Sequence, residues 1–169
     1  CLGCTVYSLG VLGVQWGSIP KQVSQHIVRT ATALRLTDQT LSNTLYGMSL
    51  MGAEWDSIPS DLRDVLLQSL GHPDAFLLDH PQHVSNTLWS LGKMDATWLQ
   101  LPVSGITSAL QRVAKQLGRQ EVANSIYGLA IIDVSWSMLD YSVINALEQS
   151  LLLHLNDMSA QVYGCFNSL

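Results

Sequence analysis

The chain repeats itself, and that constrains its fold more than any local propensity does. Tyr7, Tyr46, Trp89 and Tyr127 are each followed nine positions later by a tryptophan: Trp16, Trp55, Trp98 and Trp136. The anchors are spaced 39, 43 and 38 residues apart. Three positions before each stands Cys4, Asn43, Asn86 or Asn124, and Gln39, Gln82 and Gln120 precede the asparagines by four. A period of this length marks one supersecondary unit that cannot bury its apolar face alone and must stack on its neighbours.

Each copy reads as two helices. The first runs from the glutamine to just before the tryptophan. Directly after the aromatic come small residues, Ser8, Gly47, Ser90 and Gly128, and two positions further on Gly10, Ser49, Gly92 and Ala130. Glycine inside a helix costs about 1 kcal/mol relative to alanine, so its recurrence predicts backbones that approach too closely for a side chain. Gly52 is read with Gly47 as part of the same helical phrase.

The second helix shows one apolar face. Val103, Ile106, Leu110, Val113, Ala114 and Leu117 keep three-and-four spacing, as do Val143, Ile144, Leu147, Leu151 and Leu155. Leu62, Val65, Leu66 and Leu70 repeat the pattern, and so do Val23, Ile27, Ala31 and Leu34. Pro20, Pro59 and Pro102, each four residues after a tryptophan, are expected in the first turn of this helix. The tryptophans Trp16, Trp55, Trp98 and Trp136 are expected as structural plugs at the corner, each sending its indole N–H to a free carbonyl. A row of base-stacking platforms is the alternative for that column. The extra residues of the second copy fall at 71–76, where glycine and proline mark a loop.

The fold class that follows is all-α: an α-solenoid of stacked antiparallel two-helix repeats. Residues 1–169 form a single array of about four repeats, incomplete at both ends, with repeat starts near Gln39, Gln82, Gln120 and Gln161. Opening and closing inside a first helix, it is expected to be an internal piece of a longer array.

Composition agrees with a folded core and narrows the functions. Of 169 residues, 47% are hydrophobic and 12% charged, far from the balance of a disordered chain. The net charge of -5 offers no general basic field for nucleic acid or an anionic membrane. No apolar run reaches membrane-spanning length, so no membrane partner is expected. There is no charged-then-apolar leader, so any targeting segment is expected outside this stretch. Three cysteines, Cys1, Cys4 and Cys165, form no disulfide framework.

Local signatures of a nucleophile elbow, a phosphate loop, a zinc helix or a dinucleotide turn are missing, so an enzyme is not expected, nor a cofactor or small-molecule substrate. The Cys1–Cys4 pair lacks a second pair to complete a metal site. His72, Asp74, Asp79, His80 and His83 gather near the loop, and solvated loop residues explain them better than zinc. No metal is expected.

The polar positions of the first helix are the candidate site. Gln39 and Asn43, Gln82 and Asn86, and Gln120 and Asn124 are spaced i, i+4, so each pair of amides shares a face, with Thr44, Thr87 and Ser125 alongside. Stacking aligns them into ladders. Either the amides bond to one another between helices, or they grip a ligand while the variable residues after the glutamine, Thr40, His83 and Glu121, discriminate. Charge also alternates by copy. Residues 1–38 carry three basic and one acidic residue, 39–81 one and six, 82–118 three and one, and 119–157 one and five. Lys21, Gln25 and Arg29, and Arg112, Lys115, Gln116 and Arg119, form basic faces on the second helices, expected on the solvated outer side.

The phrase Q-x-x-x-N-T-L-[YW]-[GS]-[LM], carried by Gln39 to Trp55, Gln82 to Trp98 and Gln120 to Trp136, with a partial match in Leu2 to Trp16, resembles the octotricopeptide repeats. The resemblance implies an organellar protein, mitochondrial or chloroplast, that binds single-stranded RNA along a concave groove and acts on transcripts or ribosomal RNA. It also allows a structural part in a ribosome or another large assembly. On this reading the RNA-facing residues are Asn43, Asn86 and Asn124, the variable Thr40, His83 and Glu121, and Gln39, Gln82 and Gln120. The alternative is a protein-binding scaffold, motivated by the negative charge and by apolar Val11, Leu50 and Ile131 on the first helices.

Overall fold

The computed structural model describes residues 1–34, 36–71 and 80–166, with side chains as far as His154. Among these residues the chain is helical and carries no strand. The helices are α1 (Leu2–Val11), α2 (Lys21–Ala33), α3 (Asp38–Leu50), α4 (Ser60–Gly71), α5 (Pro81–Lys93), α6 (Val103–Val113), α7 (Arg119–Ile131) and α8 (Tyr141–Phe166). A one-turn 3₁₀ segment opens at each tryptophan: Trp16–Ser18, Trp55–Ser57, Trp98–Gln100 and Trp136–Met138.

Packing follows sequence order in two rows. Helix α1 lies on α3, α3 on α5 and α5 on α7, while α2 lies on α4, α4 on α6 and α6 on α8. The first row is buried by residues spaced as one helix face. Leu41, Leu45 and Met48 of α3 are fully buried, and Val84, Leu88 and Leu91 of α5 nearly so. Each such side chain removed from water contributes about 1.5–3 kcal/mol. In the second row the expected faces of α4 and α6 are inside, from Leu62 to Leu70 and from Ile106 to Leu117, although Val103 is partly exposed. Helix α2 departs from expectation. Ile27 and Ala31 are buried, but Val23 and Leu34 face solvent and Leu36 takes the core position.

The two expected roles of glycine separate. Gly47 and Gly128 sit where backbones meet: a Cβ on Gly47 would stand 2.5 Å from the carbonyl carbon of Val6, and one on Gly128 equally close to that of Leu88. Gly52 is not in the helix. It occupies the left-handed position after the cap of α3, at φ +68°, a place taken in the other copies by Gly13, Asp95 and Asp133 at +78°, +58° and +65°. There Gly52 N–H donates to the Ser49 carbonyl and Ala53 N–H to the Met48 carbonyl, closing the helix end. The same paired bonds close α1, α5 and α7.

The prolines stand one residue earlier than expected. Pro20 and Pro102 occupy the cap positions of α2 and α6, and Pro59 immediately precedes α4. Their carbonyls accept the first helical bonds, from Ser24, Ile106 and Arg63 N–H. In the fourth copy the Asp140 carbonyl does the same work.

The tryptophans join neighbouring copies through the backbone, and no indole N–H makes a hydrogen bond among the described residues. Trp16 N–H donates to the Met51 carbonyl at 2.8 Å, Trp55 N–H to Met94 at 2.6 Å and Trp98 N–H to Ile132 at 3.1 Å. Each acceptor is the residue capping the next first-row helix. The rings of Trp55 and Trp98 are buried, at 1% and 7% exposure, whereas Trp16 is half-buried and Trp136 is 41% exposed.

Candidate functional site

The first-row helices leave one stripe of side chains uncovered, and it contains the candidate residues. On α3 the stripe runs Gln39, Asn43, Tyr46 and Leu50, on α5 Gln82, Asn86, Trp89 and Lys93, and on α7 Gln120, Asn124, Tyr127 and Ile131. The offsets of four, seven and eleven residues are those of a single helix face. The three glutamines are exposed and the three asparagines half-buried. Helix α1 adds Cys4, Tyr7 and Val11, all exposed.

The amide ladder does not form. None of the six side-chain amides bonds to another, so their donors and acceptors stay open to solvent. What links the helices instead is the aromatic column. The Tyr7 and Tyr46 rings stack with centroids 5.8 Å apart and planes 18° apart, and Trp89 meets Tyr46 edge-on at 5.4 Å and 60°. Lys93 Nζ lies 5.9 Å from the Trp89 ring centre. Each aromatic pair contributes roughly 0.5–1.5 kcal/mol beyond its burial. A row of π faces therefore runs beside two rows of unpaired amides. The signal was in the sequence: an aromatic three residues after the asparagine and seven after the glutamine must share their face.

Two of the variable residues, Thr40 and His83, lie at seams between helices. Thr40 Oγ1 stands 3.9 Å from Sγ of Cys1, the residue capping α1, and 3.4 Å from Thr37 Oγ1. His83 Nδ1 is 3.7 Å from Asp38 Oδ2 of α3, and its ring packs 4.9 Å from that of His80. Burial pushes the His83 pKa below its usual 6.5; Asp38 opposes that shift and His80 adds to it. Glu121 folds back over the start of α7, so that a Cβ on Gly118 would meet its Oε2 at 2.6 Å. An acidic group there complements the helix dipole. Thr44, Thr87 and Ser125 are buried. The Thr44 hydroxyl donates to the Thr40 carbonyl at 2.7 Å, while those of Thr87 and Ser125 have no partner.

Among the described residues, no group of three or more His, Cys, Asp and Glu side chains converges as a metal site would require. His72, Asp74 and Asp79 lie outside the described residues, as does the side chain of Cys165. Cys1 and Cys4 are exposed free thiols. The basic residues are exposed, but the second group does not share one helix: Arg112 lies in α6, Lys115 and Gln116 in a 3₁₀ turn after it, and Arg119 opens α7, while on α2 Arg29 Nε donates to the Gln25 carbonyl. No helix among the described residues is long and apolar enough to cross a membrane. Neither a protein-family model, a curated protein nor a solved structure matches the chain.

Proposed function

We propose that the chain is an α-solenoid of two-helix repeats whose first-helix stripe binds single-stranded RNA, as an organellar protein related to the octotricopeptide repeats. The observation that carries this reading is the aromatic row of Tyr7, Tyr46 and Trp89 running beside the unpaired amides of Gln39, Asn43, Gln82 and Asn86. Every base has a π face, and stacking on an aromatic side chain contributes about 1–3 kcal/mol per base. Amides can donate to and accept from base edges without a preformed charge. Lys93 is the only cation on the stripe, so binding rests on stacking and depends only shallowly on salt.

Titration of fluorescent RNA pools at low and moderate salt tests this. Binding is expected to weaken about 5- to 150-fold on Trp89→Ala, the range that loss of one stacked base gives, and further on Asn86→Ala with Asn124→Ala. No affinity at low salt, or affinity indifferent to these changes, overturns the reading.

A protein-binding scaffold, such as a structural element of a ribosome, is the second reading. Val11 is exposed and Leu50 and Ile131 are half-buried along the margin of the same stripe, and the net charge is -5. Recovery of a stoichiometric protein partner that survives nuclease treatment favours the scaffold; recovery of RNA favours the first reading.

A further inference from the structure

The α1–α3 and α5–α7 joints are built alike at the backbone and differently at the rings. A Cβ on Gly47 would stand 2.5 Å from the carbonyl carbon of Val6, and one on Gly128 2.5 Å from that of Leu88. A Cβ on Gly10 would stand 2.9 Å from Cβ of Leu50, and one on Gly92 3.0 Å from that of Ile131. The two pairs of helices therefore approach equally closely, and their aromatic residues, Tyr7 with Tyr46 and Trp89 with Tyr127, stand directly before equivalent small residues.

Only the first pair of rings closes. Tyr7 and Tyr46 lean together to 5.8 Å with planes 18° apart, whereas Trp89 meets Tyr46 edge-on at 5.4 Å and 60° and, among the described residues, makes no ring contact with Tyr127. Equivalent side chains on neighbouring helices are set apart by an axis spacing of about 8–10 Å unless they lean together. A flat base stacked on both sides needs about 7–8 Å, twice the roughly 3.5–4.0 Å of carbon–carbon contact. The α5–α7 joint thus keeps the room for one inserted ring that the α1–α3 joint has filled. Polar groups border this gap. Asn86 and Asn124 stand three residues before Trp89 and Tyr127, one helical turn away on the same face, and their amides have no hydrogen-bond partner among the described residues. The exposed Lys93 places its Nζ 5.9 Å from the Trp89 ring centre.

We infer that a single nucleobase inserts between Trp89 and Tyr127, its edge bonded by the Asn86 and Asn124 amides and the adjoining phosphate met by Lys93, while the joint closed by Tyr7 and Tyr46 admits none. This site rests on the RNA reading above and singles out one of the joints that the reading treats alike. Purines present the larger face and gain more from two-sided stacking, so the site favours adenine over uracil.

Titration with short oligoadenylate and oligouridylate, followed both by a dye on the RNA and by tryptophan emission, tests the site. Oligoadenylate is expected to bind more tightly and to quench the emission. Tyr127→Leu keeps apolar bulk but removes the π face, so it is expected to weaken oligoadenylate binding about 5- to 150-fold, the range for one lost stack, and to narrow the difference between the two RNAs. Tyr7→Leu is expected to cost far less. Trp89→Phe keeps a face to stack on, so binding is expected to persist while the quench is lost. Circular dichroism checks that the variants stay helical. Equal losses in Tyr7→Leu and Tyr127→Leu, or a quench that survives Trp89→Phe, overturn the inserted base and leave the RNA reading in place; no binding of either RNA overturns both.

Discussion

Individual side chains at the seams carry costs that a repeat could shed. The Thr87 hydroxyl is buried without a partner, whereas its counterpart Thr44 bonds to a carbonyl of its own helix. Thr87→Val keeps the shape and removes the unsatisfied group, so it is expected to stabilise the protein by about 1 kcal/mol in urea denaturation, while Thr44→Val gains nothing. Asp95 and Asp133 hold the left-handed cap position that glycine occupies in the first two copies. Asp95→Gly is expected to raise stability by up to about 1 kcal/mol, because a side chain is strained there. His83 makes stability depend on pH. Its pKa in the fold lies below 6.5, so the unfolded chain binds the extra proton between those two values. The His83 contribution is therefore complete above pH 6.5 and is lost as pH falls through the lowered value. Thermal melts between pH 7 and 5.5 are expected to show this decline, and His83→Gln to flatten it.

At the scale of the helix, close approach governs which residues are allowed. Gly47→Ala and Gly128→Ala would drive a methyl into the backbone of the neighbouring helix, and the strain outweighs the gain in helix propensity. Each is expected to destabilise by about 1–3 kcal/mol, measured by the denaturation midpoint. Gly17 has open space around it and an ordinary φ, so Gly17→Ala is expected to be neutral. If both kinds of change cost the same, packing between first-row helices is not what the glycines serve. The sequence showed the close-packed glycines by their recurrence. It did not distinguish Gly52, because a glycine just past a helix end and one inside it look alike until the hydrogen bonds that close the helix are placed.

Across the whole molecule, position in the row decides what a recurrent residue contributes. Trp98→Ala is expected to cost about 3–5 kcal/mol, because the ring is buried at the α5–α7 joint. Trp136→Ala, on the open edge, is expected to cost less than about 1 kcal/mol. Equal losses at both sites would mean that burial at the joint is not the source of the tryptophan's value. By itself the sequence determined the helical class and the sharing of one helix face by the amides. Both follow from spacing along a helix, a property local to the chain. Only the tertiary structure decided that the amides stay unpaired, that Tyr7, Tyr46 and Trp89 form a continuous row, and that Thr40 and His83 turn into the seams. Those outcomes depend on the distance and rotation between neighbouring helices, which close backbone contacts set and no single unit encodes.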